Sequence, residues 1–110
     1  MITNRILNEE LMLRSRMVIK FGHILDSYVG KTDNKTLLQE LDEEIDQAMS
    51  GLFMASRFRP SEKPRFFVRY DTESPGYILI EPTNDAAVWL CLERNRGTGR
   101  TFVIPTVAVT

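Results

Sequence analysis

Two prolines four residues apart, Pro60 and Pro64, place the strongest constraint on this 110-residue chain. Each lacks an amide donor and disfavours helical conformation in the residue before it, so no helix runs through Arg59-Pro-Ser-Glu-Lys-Pro-Arg65. The apolar period differs on the two sides of this break. Ahead of it, Leu7, Leu11, Arg14, Met17, Val18, Phe21, Leu25 and Tyr28 recur at three- and four-residue spacing, which predicts a helix from about Asn4 to Val29. Thr3 or Asn4 can cap its start, and Gly30 suits a left-handed C-cap. A short connection follows, in which Thr32, Asp33 and Asn34 are candidate N-caps and Thr36 with Gln39 matches a capping box. The second helix runs to about Phe58, with Leu37, Leu41, Ile45, Ala48, Met49 and Leu52 as its buried stripe. Ser50-Gly51 is a weak point in it, read as a close packing contact. Helices joined this tightly are expected to form an antiparallel hairpin.

After the prolines the period becomes two. Arg65 to Asp71 alternates Phe66, Val68 and Tyr70 against Arg65, Phe67 and Arg69, as a half-buried strand does. A turn at Ser74-Pro75-Gly76 leads to a second strand, Tyr77 to Glu81. The seven uncharged residues Ala86 to Leu92 read as a central strand buried on both faces, extending to Glu93. Asn95 to Gly99 reads as a hairpin turn into a fourth strand, Arg100 to about Val109. The expectation is therefore one α+β domain over residues 1–110. An N-terminal antiparallel helical hairpin (4–58) packs on one face of a C-terminal four-stranded antiparallel β-meander (65–109). Phe66, Val68, Tyr70, Ile78, Ile80, Val88, Leu90, Leu92, Phe102 and Ile104 face the helices; Arg65, Phe67, Arg69, Tyr77, Leu79, Trp89 and Cys91 face outward.

With 43% apolar and 26% charged residues the composition is that of an ordinary folded domain. No apolar run approaches the roughly 20 residues of a membrane span, and the N-terminus lacks a signal-peptide core. Cys91, the only cysteine, rules out an intramolecular disulfide and reads as a small core hydrophobe; a cytoplasmic location is expected. The net charge of −1 hides a segregation: Asp33 to Asp46 is acidic, and Arg57 to Arg69 is basic.

The common catalytic sets are missing. His23 is the only histidine and has no cysteine or second histidine at ligand spacing, so neither a triad nor a zinc site is indicated. Asp42 and Asp46 lie one helical turn apart beside Glu43, a pattern that in a metal-dependent hydrolase needs further carboxylates from a facing helix. Asn95-Arg-Gly-Thr-Gly-Arg100 lacks the Gly-Lys-Ser/Thr ending of a phosphate-binding loop. No cofactor or metal is assigned.

The expected function is that of a small non-enzymatic protein-interaction module, an inhibitor or regulator of phage or mobile-element type that binds a larger partner, with homodimer formation as a further option. Phe67, Tyr77 and Trp89 would anchor the partner, since aromatic residues and arginine are enriched in binding hot spots. Arg65 and Arg69, or the acidic Asp42, Glu43 and Asp46, would orient it. The uncharged C-terminal strand would offer an edge for pairing, interrupted by Pro105. The alternative is a nucleic-acid-binding regulator that uses Arg57, Arg59 and Lys63 with Arg94, Arg96 and Arg100.

Overall fold

The computed structural model describes residues 2–32, 34–57, 62–94 and 102–107. In chain order they form α1 (Ile2–Tyr28), α2 (Leu37–Ala55), β1 (Phe66–Tyr70), β2 (Tyr77–Pro82), α3 (Asp85–Arg94) and β3 (Phe102–Pro105). The α+β class, with two N-terminal helices followed by an antiparallel sheet, agrees with the period change at the prolines. Among the described residues the sheet has three strands in the order β1-β2-β3 rather than four. Val68 faces Ile80 across one ladder, and Ile78 faces Ile104 across the other.

The missing strand is a helix. Ala86 to Glu93 lies within α3, because Asn84 caps it: its Oδ1 accepts the Ala87 amide (2.9 Å), and its carbonyl accepts the Val88 amide at 3.0 Å. Asp85 in the first turn and Arg94 in the last complement the helix dipole. The buried residues are Ala87, Leu90 and Cys91, a spacing of three and four, whereas Val88 and Leu92 are each 38% exposed. The expected pairing of Val88 and Leu92 with the core is thus overturned, and Cys91 points into it. Burial raises the Cys91 thiol pKa from its ordinary 9.0 to about 11. The anticipated hairpin at Asn95 to Gly99 lies outside the described residues.

One apolar cluster joins the layers. Met17, Phe21, Ile24 and Leu25 of α1 and Leu41, Ile45 and Met49 of α2 meet Ile78, Ile80, Leu90 and Ile104. The Phe21 ring stacks on Phe66 with centroids 4.8 Å apart. Leu11, expected in the buried stripe of α1, is 60% exposed; Leu13 occupies that role at 3%. Gly30 does end α1, with φ 78°. Thr36 makes no capping bond to α2 through its side chain; instead Asn34 Oδ1 accepts from the Thr36 amide and hydroxyl, both at 2.9 Å. Gly51 faces open space, so the close contact expected there is absent. Such a contact forms at Gly22, where an added Cβ would lie 3.0 Å from Arg94 Nε.

Candidate protein-interaction surface

Strand alternation gives the sheet two unlike faces. Phe66, Val68, Ile78, Ile80 and Ile104 lie on the core side, and Phe67, Arg69, Leu79 and Tyr77 on the other, as the register requires. On the outer side Phe67 is 55% exposed and Tyr77 40%. Between them, Arg69 Nε donates to Glu81 Oε1 across the strands at 2.6 Å. This charge-assisted bond fixes the guanidinium and neutralises it. The result is an aromatic patch around one ion pair, held by two ladders of main-chain hydrogen bonds.

Trp89 does not belong to this patch. Because its segment is helical, the indole packs partly buried against the core cluster, on the side of the sheet away from Phe67. The Arg14 guanidinium carbon sits 4.7 Å from the ring centroid, and Arg14 is also paired with Glu10 at 2.9 Å. A cation over an indole contributes about 0.5–1 kcal/mol at an exposed site. A groove of about 260 Å³ between α1 and α3, lined by Leu13, Met17, Pro64, Ala86 and Trp89 among others, lies here. The three-aromatic platform expected from alternation is therefore a pair, Phe67 and Tyr77, with Trp89 elsewhere.

The charged candidates separate as well. Asp42, Glu43 and Asp46 are exposed on α2, and Asp46 accepts from Lys63 Nζ at 2.8 Å. Lys63 also donates to Ser50 Oγ at 2.6 Å. Among the described residues no three His, Cys, Asp or Glu side chains converge as a metal site would require. Arg65 is exposed; its amide is held by Asn84 Oδ1 at 3.2 Å, and Asn84 Nδ2 donates to the Lys63 carbonyl at 2.7 Å. Asn84 thereby ties the segment ahead of β1 to the start of α3.

The basic set is dispersed to three places. Arg57 lines a groove with Glu9 and Met12, Lys63 and Arg65 lie beside α2, and Arg94 faces Asp26 of α1 at 3.5 Å. Arg59, Arg96 and Arg100 lie outside the described residues.

Sequence reasoning missed an apolar ridge on α1. Leu11 and Ile19 are exposed at 60% and 58% two helical turns apart, and both line a groove with Trp89. The i, i+8 spacing carries that signal, but it was hidden by assigning Leu11 to the core stripe. Tyr28, read only as core, also binds: its hydroxyl donates to Glu44 Oε2 at 2.6 Å, and burial with this carboxylate raises its pKa. No helix among the described residues is long and apolar enough to cross a membrane. No protein-family model, curated protein or solved structure matches this chain, so the chemistry of these surfaces is what speaks for their use.

Proposed function

We propose that this chain is a small non-enzymatic protein-interaction module, an inhibitor or regulator of the compact kind associated with phages and mobile elements. It binds a larger partner through the outer face of its sheet. The observation that carries this reading is the exposure of Phe67 (55%) and Tyr77 (40%) on one face of paired strands. Exposed aromatics on a rigid support lose little side-chain freedom on binding and supply large contact area, which is the usual make-up of an anchor. Arg69 and Glu81 between them offer polar groups already fixed in orientation. The nucleic-acid alternative is less well supported, because Lys63, Arg69 and Arg94 each face a carboxylate already.

The test is a quantitative pull-down from native host extract with the wild-type chain and a Phe67→Ser/Tyr77→Ser variant. A protein retained by the first and lost by the second, with the variant still cooperatively folded, is the expected result. Retention of the same protein by both would defeat the reading. Capture of nucleic acid instead, with affinity falling steeply as salt rises, would favour the alternative.

A further inference from the structure

The two edges of the sheet are treated differently by the chain. Along β1, Thr83 N–H donates to the Arg65 carbonyl and Asp71 N–H to the Tyr77 carbonyl, both at 3.0 Å. In an antiparallel pair, residues that exchange bonds with the neighbour alternate with residues that do not. Odd-numbered residues of β1 therefore turn their main-chain groups toward β2, and Phe66 and Val68 turn theirs away from it. β2 is the only strand that pairs with β1 among the described residues. On β3 the C-terminal end of the opposite edge is occupied: Pro105 has no donor, its carbonyl accepts the Gly30 amide at 2.9 Å, and the Val107 amide donates to the Lys31 carbonyl at 3.1 Å.

The open edge lies beside the acidic helix. α2 carries Glu40, Asp42, Glu43, Glu44 and Asp46 and no lysine or arginine, and it packs on β1. A cleft of about 280 Å³ between them is lined by Asp42, Glu43, Asp46, Pro64, Arg65 and Phe66. Lys63 neutralises Asp46, and Arg65 brings one further positive charge. Among the described residues Asp42 makes no ion pair, and Glu43 accepts from the neutral Gln39 amide at 3.1 Å.

We infer that the free edge of β1 receives an extended, basic segment of the partner protein as a fourth strand. The inference rests on the interaction-module reading and names the partner's chemistry. Main-chain bonds to Phe66 and Val68 supply the pairing, and alternate side chains supply specificity. Lysine or arginine on the helix side meets Asp42 and Glu43, and apolar residues on the other side lie against Phe67. A second copy is disfavoured as the occupant: pairing β1 with β1 about a two-fold axis would set one α2 beside the other, with five carboxylates on each.

The probe is a capped octapeptide alternating Lys and Val, titrated into the full ¹⁵N-labelled chain. Two controls accompany it, the Glu/Val counterpart and the Lys/Val peptide N-methylated at its lysines, whose amides are the ones that would face β1. The readout is hydrogen exchange at the Phe66 and Val68 amides. Exchange there should slow with the Lys peptide, stay unchanged with both controls, and respond to the peptide about twofold to fivefold more weakly in an Asp42→Asn/Glu43→Gln variant. Equal protection by the Lys and Glu peptides overturns the inference, as does protection by the N-methylated peptide. Protection that grows with the chain's own concentration, without peptide, would show a second copy on the edge and also overturn it. Because the readout does not use the host partner, the two failures stay distinct. Loss of capture by the Phe67→Ser/Tyr77→Ser variant with no peptide protection leaves the face reading standing and removes the edge.

Discussion

The two faces of one sheet behave as different materials although they share every backbone bond. On the core side Ile78 and Ile80 are fully buried and Ile104 is 2% exposed, each burial contributing about 1.5–3 kcal/mol. On the other side Phe67 and Tyr77 remain in water. Adjacent residues such as Leu79 and Ile80 thus differ in what a substitution there would reveal. The inner face holds the fold together, and the outer face can change with little consequence for folding. That independence lets the outer face vary without endangering its support.

The contrast is tested most severely by Ile80→Ala. Removing a fully buried isoleucine should lower stability by about 2–5 kcal/mol in urea unfolding, and a loss below 1 kcal/mol would mean that the inner face is not the main support. Cys91 extends the same test to α3. Its thiol pKa is raised by burial from 9.0 to about 11, so the unfolded chain ionises first as pH rises. The contribution of the neutral thiol to stability is fully present below pH 9 and is lost as pH climbs toward 11. At pH 10.5, with reductant, the wild type should have lost up to about 2 kcal/mol more than Cys91→Ala relative to pH 7. Equal losses would show a thiol in contact with water.

A smaller effect is expected at Asn84, which caps α3 and holds the segment leading to β1. Asn84→Ala should cost about 1–2 kcal/mol, with faster hydrogen exchange in α3 and at Arg65, whose amide it holds, and unchanged exchange at Arg69 and Leu79 further along the β1–β2 ladder. Loss of protection along the whole ladder would mean that α3 and the sheet open as one unit. The smallest effect belongs to the outer face: Phe67→Ser should change unfolding free energy by no more than about 0.5 kcal/mol while reducing partner capture. A large stability loss there would erase the distinction.

The period of two in Arg65 to Glu81 makes both faces of β1 and β2 legible in the sequence, because alternation in a strand leaves no freedom about which residues share a side. The same logic failed at Ala86 to Leu92. Seven uncharged residues show no period at all, so a buried strand and a buried helix look alike, and the choice passes to the flanks. Asn84-Asp85 reads equally well as a turn or as a helix cap; the bond from the Ala87 amide to Asn84 shows that it is the cap. Trp89 moved from the outer face to the core side as a direct consequence. The acidic set Asp42, Glu43 and Asp46 was legible as a helix face. Its position beside the unpaired side of β1 was not, because it depends on tertiary packing between segments about 20 residues apart.

The engagement of Pro105 and Val107 by Gly30 and Lys31 narrows how the sheet can be extended. A sheet open on both sides can be extended from molecule to molecule without limit, as in a fibre. Here Val107 and Pro105 are engaged by the α1–α2 connection, so a strand arriving at this end of β3 meets groups already bonded, while Phe66 and Val68 of β1 face no other strand among the described residues. Two copies joined through β1 would turn these engaged ends of β3 outward on both sides, which works against further extension.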